Sequence, residues 1–160
     1  MTDTTAPDPE LLAAIREAFE EVPIHKFVGL KVVQPGYDGP AIMEIPIGPN
    51  ALGRTGQLHG AVIALMCDVT CASAASTAST YDHLTTALVT ADLHVRYLGA
   101  AKGDRVRVEA RVVKAGRQLI VVHGDVIDGE DKVVAVADFS AMLVPLRQPL
   151  DVEAPSADKG

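Results

Sequence analysis

The stretch GQLHGAVIALMCDVTCASAASTAST, Gly56–Thr80, decides how this chain folds. Apart from the imidazole of His59, its one formal charge is the carboxylate of Asp68, set among small and apolar residues. From about His59 to about Ser76 it has helical length and an Ala-rich composition, and alanine is the strongest helix former. A helix apolar on nearly every side has to be buried on nearly every side. An ionised carboxylate buried there without partners is costly, and perturbed acids cluster at working sites. With no other charged position on the helix to make a solvated face, Asp68 is a candidate catalytic acid.

The N-terminal end of the same helix adds a second feature. GQLHGA brings His59 and Gly60 to the first turn, where free N–H groups and the helix dipole can hold a developing oxyanion. Gly60 lets a carbonyl approach the backbone closely. Gly60 and Asp68 are eight residues apart, about 12 Å along a helix, whereas an oxyanion donor and an attacking acid must each reach one reacting group within about 3 Å. One chain cannot do both. Two antiparallel helices across a dyad can, each offering its Gly60 end to the Asp68 of the other. Burial of the helix asks for the same homodimer.

Around this helix the pattern is strand-rich. Asp8 and Pro9 form a helix-start signal, and Leu11, Leu12, Ile15, Ala18, Phe19 and Val22 recur at helical spacing up to a stop at Pro23. IHKFVG adds a short helical turn. LKVVQ and AIMEIPIG read as strands joined by the turn-rich PGYDGP. TADLHVRYLG, DRVRVEARVVKA, RQLIVVHGDVID and KVVAVADFSAMLVP are longer strands, with DGED as a hairpin turn between the last two. Alternation in the second puts Val106, Val108, Ala110 and Val112 on one face and Arg105, Arg107, Glu109 and Arg111 on the other. The expected architecture is α+β: an antiparallel sheet of five or six strands curled around the central helix, in one domain over residues 8–145, with unstructured ends at 1–7 and 146–160.

Composition narrows the function. The 160-residue chain is 48% hydrophobic with only 4% aromatic residues, so Val, Ala, Leu and Ile build the core. A formal net charge of −7 argues against a nucleic-acid or anionic-membrane surface. Cys67 and Cys71 make no disulfide framework and suit a cytoplasmic setting. The N-terminus lacks the basic region and apolar run of a secretory signal. The uninterrupted apolar run of the central stretch is too short for a membrane span. Neither a G-x-S-x-G elbow nor a Gly-rich nucleotide loop is present.

The stretch GQLHGAVIALMCD resembles the hotdog-fold acyl-CoA thioesterases of the PaaI-like type, within the 4-hydroxybenzoyl-CoA thioesterase superfamily. Their signature is N-x-x-G-x-x-H-G-G followed by a helix, with an acid nine residues after the His; His59 and Asp68 keep that spacing. The resemblance extends from about Ile24 to Pro145 and includes Gly116–Arg117. It implies a hotdog fold and a cofactor-free hydrolase acting on acyl-CoA, as a homodimer or a tetramer built from two dimers. By position, Asp68 is the general base or nucleophile, the Gly60 N–H polarises the thioester carbonyl, and Thr90 is a hydroxyl orienting water near the acid. Strand parity, however, puts Thr90 with Asp92, His94 and Arg96 on the polar face, so a bulge is needed to turn it inward.

Two positions depart from the signature. Ala61 replaces the second glycine, and Gly53 replaces the asparagine, leaving Asn50 or Gln57 to supply that polar side chain. His59 is expected mainly to fix the loop while standing within reach of substrate. Arg96, Lys102, Lys114 and Arg117 are candidates for the phosphates of coenzyme A. Cys67 and Cys71, mid-helix and without a second thiol pair, read as packing residues rather than metal ligands or nucleophiles. His94 and His123 read as structural. A binding module that holds the thioester without efficient hydrolysis is the alternative that Gly53 favours; a dehydratase is a weaker third, because its paired Asp and His are not recognisable.

Overall fold

The computed structural model describes residues 8–37, 39–79 and 84–147. The segments expected to be unstructured lie outside the described residues, except Leu146 and Arg147. Leu146 still donates its N–H to the Thr85 carbonyl at 2.8 Å, so ordered pairing runs one residue past the expected boundary at 145.

Helix α1 spans Pro9–Glu20, capped by the Asp8 carboxylate, which accepts from the N–H groups of Glu10 at 3.0 Å and Leu11 at 2.9 Å. Leu12, Ile15 and Phe19 are half-buried on its inner side. Pro23 does more than stop this helix: it starts α2, Pro23–Val28, where a missing N–H costs nothing in the first turn. The strands are β1 Lys31–Gln34, β2 Ala41–Pro46, β3 Thr86–Tyr97, β4 Arg105–Ala115, β5 Leu119–Asp128 and β6 Val133–Pro145; the long helix α3, Gly60–Thr77, lies between β2 and β3 in the chain.

All six strands form one antiparallel sheet in the order β1-β2-β4-β5-β6-β3. After β2 the chain passes through α3 and crosses to the far edge as β3, then returns beside β2 as β4. Helix α3 therefore lies over the sheet's inner face. Alternation in β4 is as expected, with Val106, Val108 and Ala110 buried and Arg105 and Arg111 exposed. Ile63, Met66, Cys67 and Ala135 belong to one core cluster with Met43, Ile45 and Val108; Cys71, Ala74 and Ala75 belong to another with Ala110, Ile120 and Phe139. Gly124 of β5 lets the helix approach, since a Cβ there would stand 3.2 Å from the Cys71 sulfur. Residues Gly60–Thr77 reach a mean hydropathy of 1.4, enough by length and composition to cross a membrane, contrary to the expectation that the apolar run is too short. In this fold that run is the helix packed on the sheet.

Strand β3 differs from the sequence reading at its start and carries the bulge that an inward Thr90 was expected to need. It starts at Thr86 rather than Thr90, because Thr86–Val89 pair with Pro145–Met142 of β6. Its register with β6 then shifts between Thr90 and Asp92, leaving Ala91 as an extra residue. Side chains alternate across a strand, so the extra residue reverses parity. Thr90, opposite buried Ala141, consequently faces inward, while Asp92, His94 and Arg96 face outward.

One buried acid ties the loop between β3 and β4 to the β5–β6 turn. The Asp128 carboxylate accepts from the N–H groups of Glu130 and Lys132 through one oxygen and of Lys102 through the other, each at 3.0 Å. The Lys132 N–H, with those of Lys102 and Glu130, holds its pKa below the ordinary 3.8 against the opposing effect of burial. A depressed folded pKa means stabilisation that is complete above the unfolded pKa and is lost as pH falls through the folded one. Asp128→Ala is expected to lower the Tm by several degrees at pH 7, with the gap from wild type closing below about pH 4; thermal melts between pH 7 and 3 measure it.

Candidate active site

Asp68 stands half-buried at the middle of α3, next to Cys67 of the first core cluster, and one neighbour singles it out. The Thr90 hydroxyl donates to its Oδ1 at 2.8 Å. The bulge at Ala91 makes this contact possible, because without it Thr90 would face away from the helix. An acid and a hydroxyl 22 residues apart are thus joined by a helix position and a strand irregularity rather than by sequence proximity.

Gly60 opens α3, and His59 is the N-cap. His59 Nδ1 accepts the Ala61 N–H at 3.0 Å, and the His59 carbonyl accepts from Val62 at 3.0 Å and Ile63 at 3.2 Å. Among the described residues nothing accepts the Gly60 N–H, so it is an open donor at the positive end of the helix dipole. Tyr97, which the sequence reading did not single out, donates its hydroxyl to the Gly60 carbonyl at 2.9 Å. Finding it needed the path of β3 beside α3, which no local pattern reveals. Within one chain Gly60 and Asp68 stay at separate levels of the helix.

The remaining candidates divide. Asn50 directs its amide to the Phe27 carbonyl at 2.8 Å, at the C-terminal end of α2. Gln57 is exposed, and its backbone carbonyl accepts the Gly53 N–H at 2.8 Å. At Gly53 a Cβ would stand 3.2 Å from the His59 ring, so an asparagine there would require the imidazole to give way. The glycine that departs from the signature and the seated His59 are therefore linked.

Among the candidate basic residues, Arg96 pairs with Asp138 at 2.7 Å on the outer face of the sheet, and Lys102 lies 3.6 Å from Glu130. Lys114 and Arg117, at the β4–β5 hairpin, are exposed and have no ion pair among the described residues. His123 is not as isolated from acids as the sequence suggests: its ring lies 3.3 Å from Asp125 and 3.4 Å from Asp138. The Arg96 hydrogen bond, with that of His123, holds Asp138 below the usual carboxylate range.

A family model described as the thioesterase superfamily matches residues 55–135. A protein of Saccharolobus solfataricus with the provisional name of an esterase is 32% identical over 127 residues, spanning 79% of this chain and 87% of its own. A thioesterase of Haemophilus influenzae superposes with a TM-score of 0.76 at 18% identity, over 86% of this chain and 92% of that one. A glutamine-to-alanine variant of a Pseudomonas aeruginosa thioesterase gives 0.76 at 20% identity, over 89% and 97%. Another P. aeruginosa protein, described only as conserved, gives 0.68 at 32% identity, over 76% and 94%. The sheet curled over α3 is the hotdog fold.

Cys67 and Cys71 flank Asp68 in sequence but point into the sheet and are fully buried. Burial, reinforced by the Asp68 charge, pushes the Cys67 thiol up to about 12. Burial, then Cys67 and Asp68, raises Cys71 as well. Neither forms thiolate near neutrality, so neither is a nucleophile. Iodoacetamide at pH 8 is expected to leave both thiols unmodified in the folded protein and to alkylate both after denaturation, as mass spectrometry would record.

Proposed function

The chain belongs to the thioesterase superfamily, and from that premise we propose that it hydrolyses acyl-CoA thioesters as a homodimer with a site at each end of paired α3 helices. The observation that carries the proposal is the 2.8 Å hydrogen bond from Thr90 to Asp68, which orients one carboxylate oxygen and leaves the other for water or substrate.

The dimer is supported by what one chain leaves uncovered. Helix α3 is apolar along its length, yet only 39% of it is buried within the single chain. Ala61, Ala64, Leu65 and Asp68 remain accessible. Strand β3 is twelve residues long and forms the sheet edge, an unpaired template for a second strand. Antiparallel pairing of two β3 edges about a dyad sets the two α3 helices antiparallel as well. Gly60 of the partner subunit then lies beside Asp68 when the axes cross at Ala64, where small side chains permit a separation near 8 Å.

In that arrangement Asp68 takes a proton from water while the water oxygen attacks the thioester carbonyl carbon. The carbonyl electron pair moves onto its oxygen, held by the partner's Gly60 N–H. Collapse of the adduct breaks the carbon–sulfur bond, and the departing thiolate takes the proton from Asp68. Direct attack by the Asp68 carboxylate is the covalent variant of the same geometry. Lys114 and Arg117 suit the coenzyme A phosphates: the β4–β5 hairpin lies just beyond the rung Ala115–Ile120–Ala141–Thr90. Arg96 and Lys102 are less suited, since each already has a carboxylate partner. The setting compatible with this chemistry is cytoplasmic, where acyl-CoA is made and used, and no metal or cofactor takes part.

A binding role without efficient turnover is favoured by one observation, the absence of a polar side chain at Gly53 while Asn50 is engaged with Phe27. The deciding experiment follows thiol release from short, long and aromatic acyl-CoAs. Wild type is expected to turn over at least one class, and Asp68→Asn to lose about 100-fold or more in kcat while remaining a folded dimer. A fully active Asp68→Asn refutes the mechanism; an inactive wild type whose Tm is raised by a thioester supports the binding role instead. Ala64→Arg is expected to give a monomer by light scattering and to abolish turnover, although neither Asp68 nor Gly60 is altered.

A further inference from the structure

We propose that Tyr97 is a positioning residue for the oxyanion-binding turn, gripping Gly60 so that its N–H keeps one direction. The inference rests on the reading of Gly60 as the oxyanion donor. It begins with a tyrosine whose place core packing does not explain: Tyr97 is 53% exposed, yet its hydroxyl donates to the Gly60 carbonyl at 2.9 Å.

The peptide unit joining Gly60 to Ala61 is held at both ends. Its carbonyl accepts from Tyr97 at 2.9 Å, and its N–H donates to His59 Nδ1 at 3.0 Å. The preceding peptide is held as well, by its carbonyl, which accepts from Val62 and Ile63. Upstream, the His59 N–H donates to Ala51 at 2.8 Å. Glycine at the first position of a helix is otherwise the most freely moving residue available, and helix ends fray. With both flanking peptides fixed, the Gly60 N–H is left as an open donor of set direction. An oxyanion donor acts through such preorganisation, because a donor that must reorient during the reaction stabilises the transition state less.

The ring has a second consequence. Its edge lies 3.5–3.6 Å from where a Cβ on Gly60 would stand. The phenol therefore walls one side of the glycine, and a carbonyl reaching the N–H passes along that wall. Thr90 and Tyr97 then divide the work of β3: one orients the acid, the other the donor.

Tyr97→Phe keeps the wall and removes the grip. In thioester turnover its kcat is expected to fall about ten- to a hundred-fold with KM within about two-fold, as for a misplaced reacting group rather than lost binding. In the substrate-free protein, NMR exchange of the Ala61 amide with water is expected to speed up about five-fold or more while the Tm shifts by no more than about 2 °C. An unchanged kcat overturns the proposal, as does an unchanged Ala61 exchange rate. If wild type itself turns over no thioester, the thioesterase reading fails on its own, and the amide exchange still decides whether Tyr97 holds the turn.

Discussion

Everything in this fold follows from one constraint: an eighteen-residue apolar helix that carries a single carboxylate has to be taken out of water. The sheet meets that demand on one side only. Contact with α3 is close because the residues brought together are small. Cys71, Ala74 and Ala75 cluster with Ala41, Ala110 and Ala141, and Gly124 has no side chain against Cys71, while Ile120, Val122 and Phe139 fill the remaining volume. Toward the N-terminal half the partners are larger, with Met43, Ile45, Val106 and Val126 beside Ile63 and Met66. Interiors pack to nearly constant density, so this gradient in side-chain size sets how the helix lies on the sheet.

Much of this was legible in the sequence because it depends on local periodicity. The helix, its cap, the hairpins and the inward face of β4 all follow from spacing within a dozen residues. The orientation of Thr90 does not. It depends on how many residues β3 places opposite β6, and the extra one, Ala91, has nothing in its own chemistry to mark it as a bulge. The first residues of β3 were missed for a related reason: Thr86–Val89 become strand by pairing with the last residues of β6, far along the chain. Tyr97 was invisible until the strand had been laid beside the helix. In this site, then, the residues on the helix could be read from sequence; on the strand, Thr90 entered only through the family resemblance, and Tyr97 not at all.

The outer face of the sheet shows the same limit in electrostatics. From Arg96 a chain of polar contacts runs through Asp138, His123, Asp125, Arg111 and Glu109 to Arg107 and Asp131, with neighbouring polar atoms 2.7–3.9 Å apart. The alternating charges of β4 alone announced a solvated face, but their partners on β5, β6 and β3 are set by register. Exposed pairs of this kind contribute about 0–1 kcal/mol each. Their main effect is specificity, since a one-residue slip would turn the charged side chains of a strand toward the apolar face. They also occupy Arg96, and thereby narrow which basic groups stand open to an anionic ligand.

Strand β3 joins these levels. It is the sheet edge, the partner of α3 at both Asp68 and Gly60, and the strand whose bulge turns Thr90 inward. Its two contacts with α3 come at residues 90 and 97, so in the proposed dimer the dyad would pass near Leu93 and His94 on the strand and near Ala64 on the helix. The two positions are not independent: the Thr90 and Tyr97 contacts tie one level to the other. Reacting groups tolerate displacements of only about 0.5 Å, and a hinge between helix and edge strand would exceed that. By holding α3 at two points, β3 fixes the positions of Asp68 and Gly60 relative to the sheet edge. In the proposed dimer, the edge strand is therefore the element through which assembly and chemistry would be one problem.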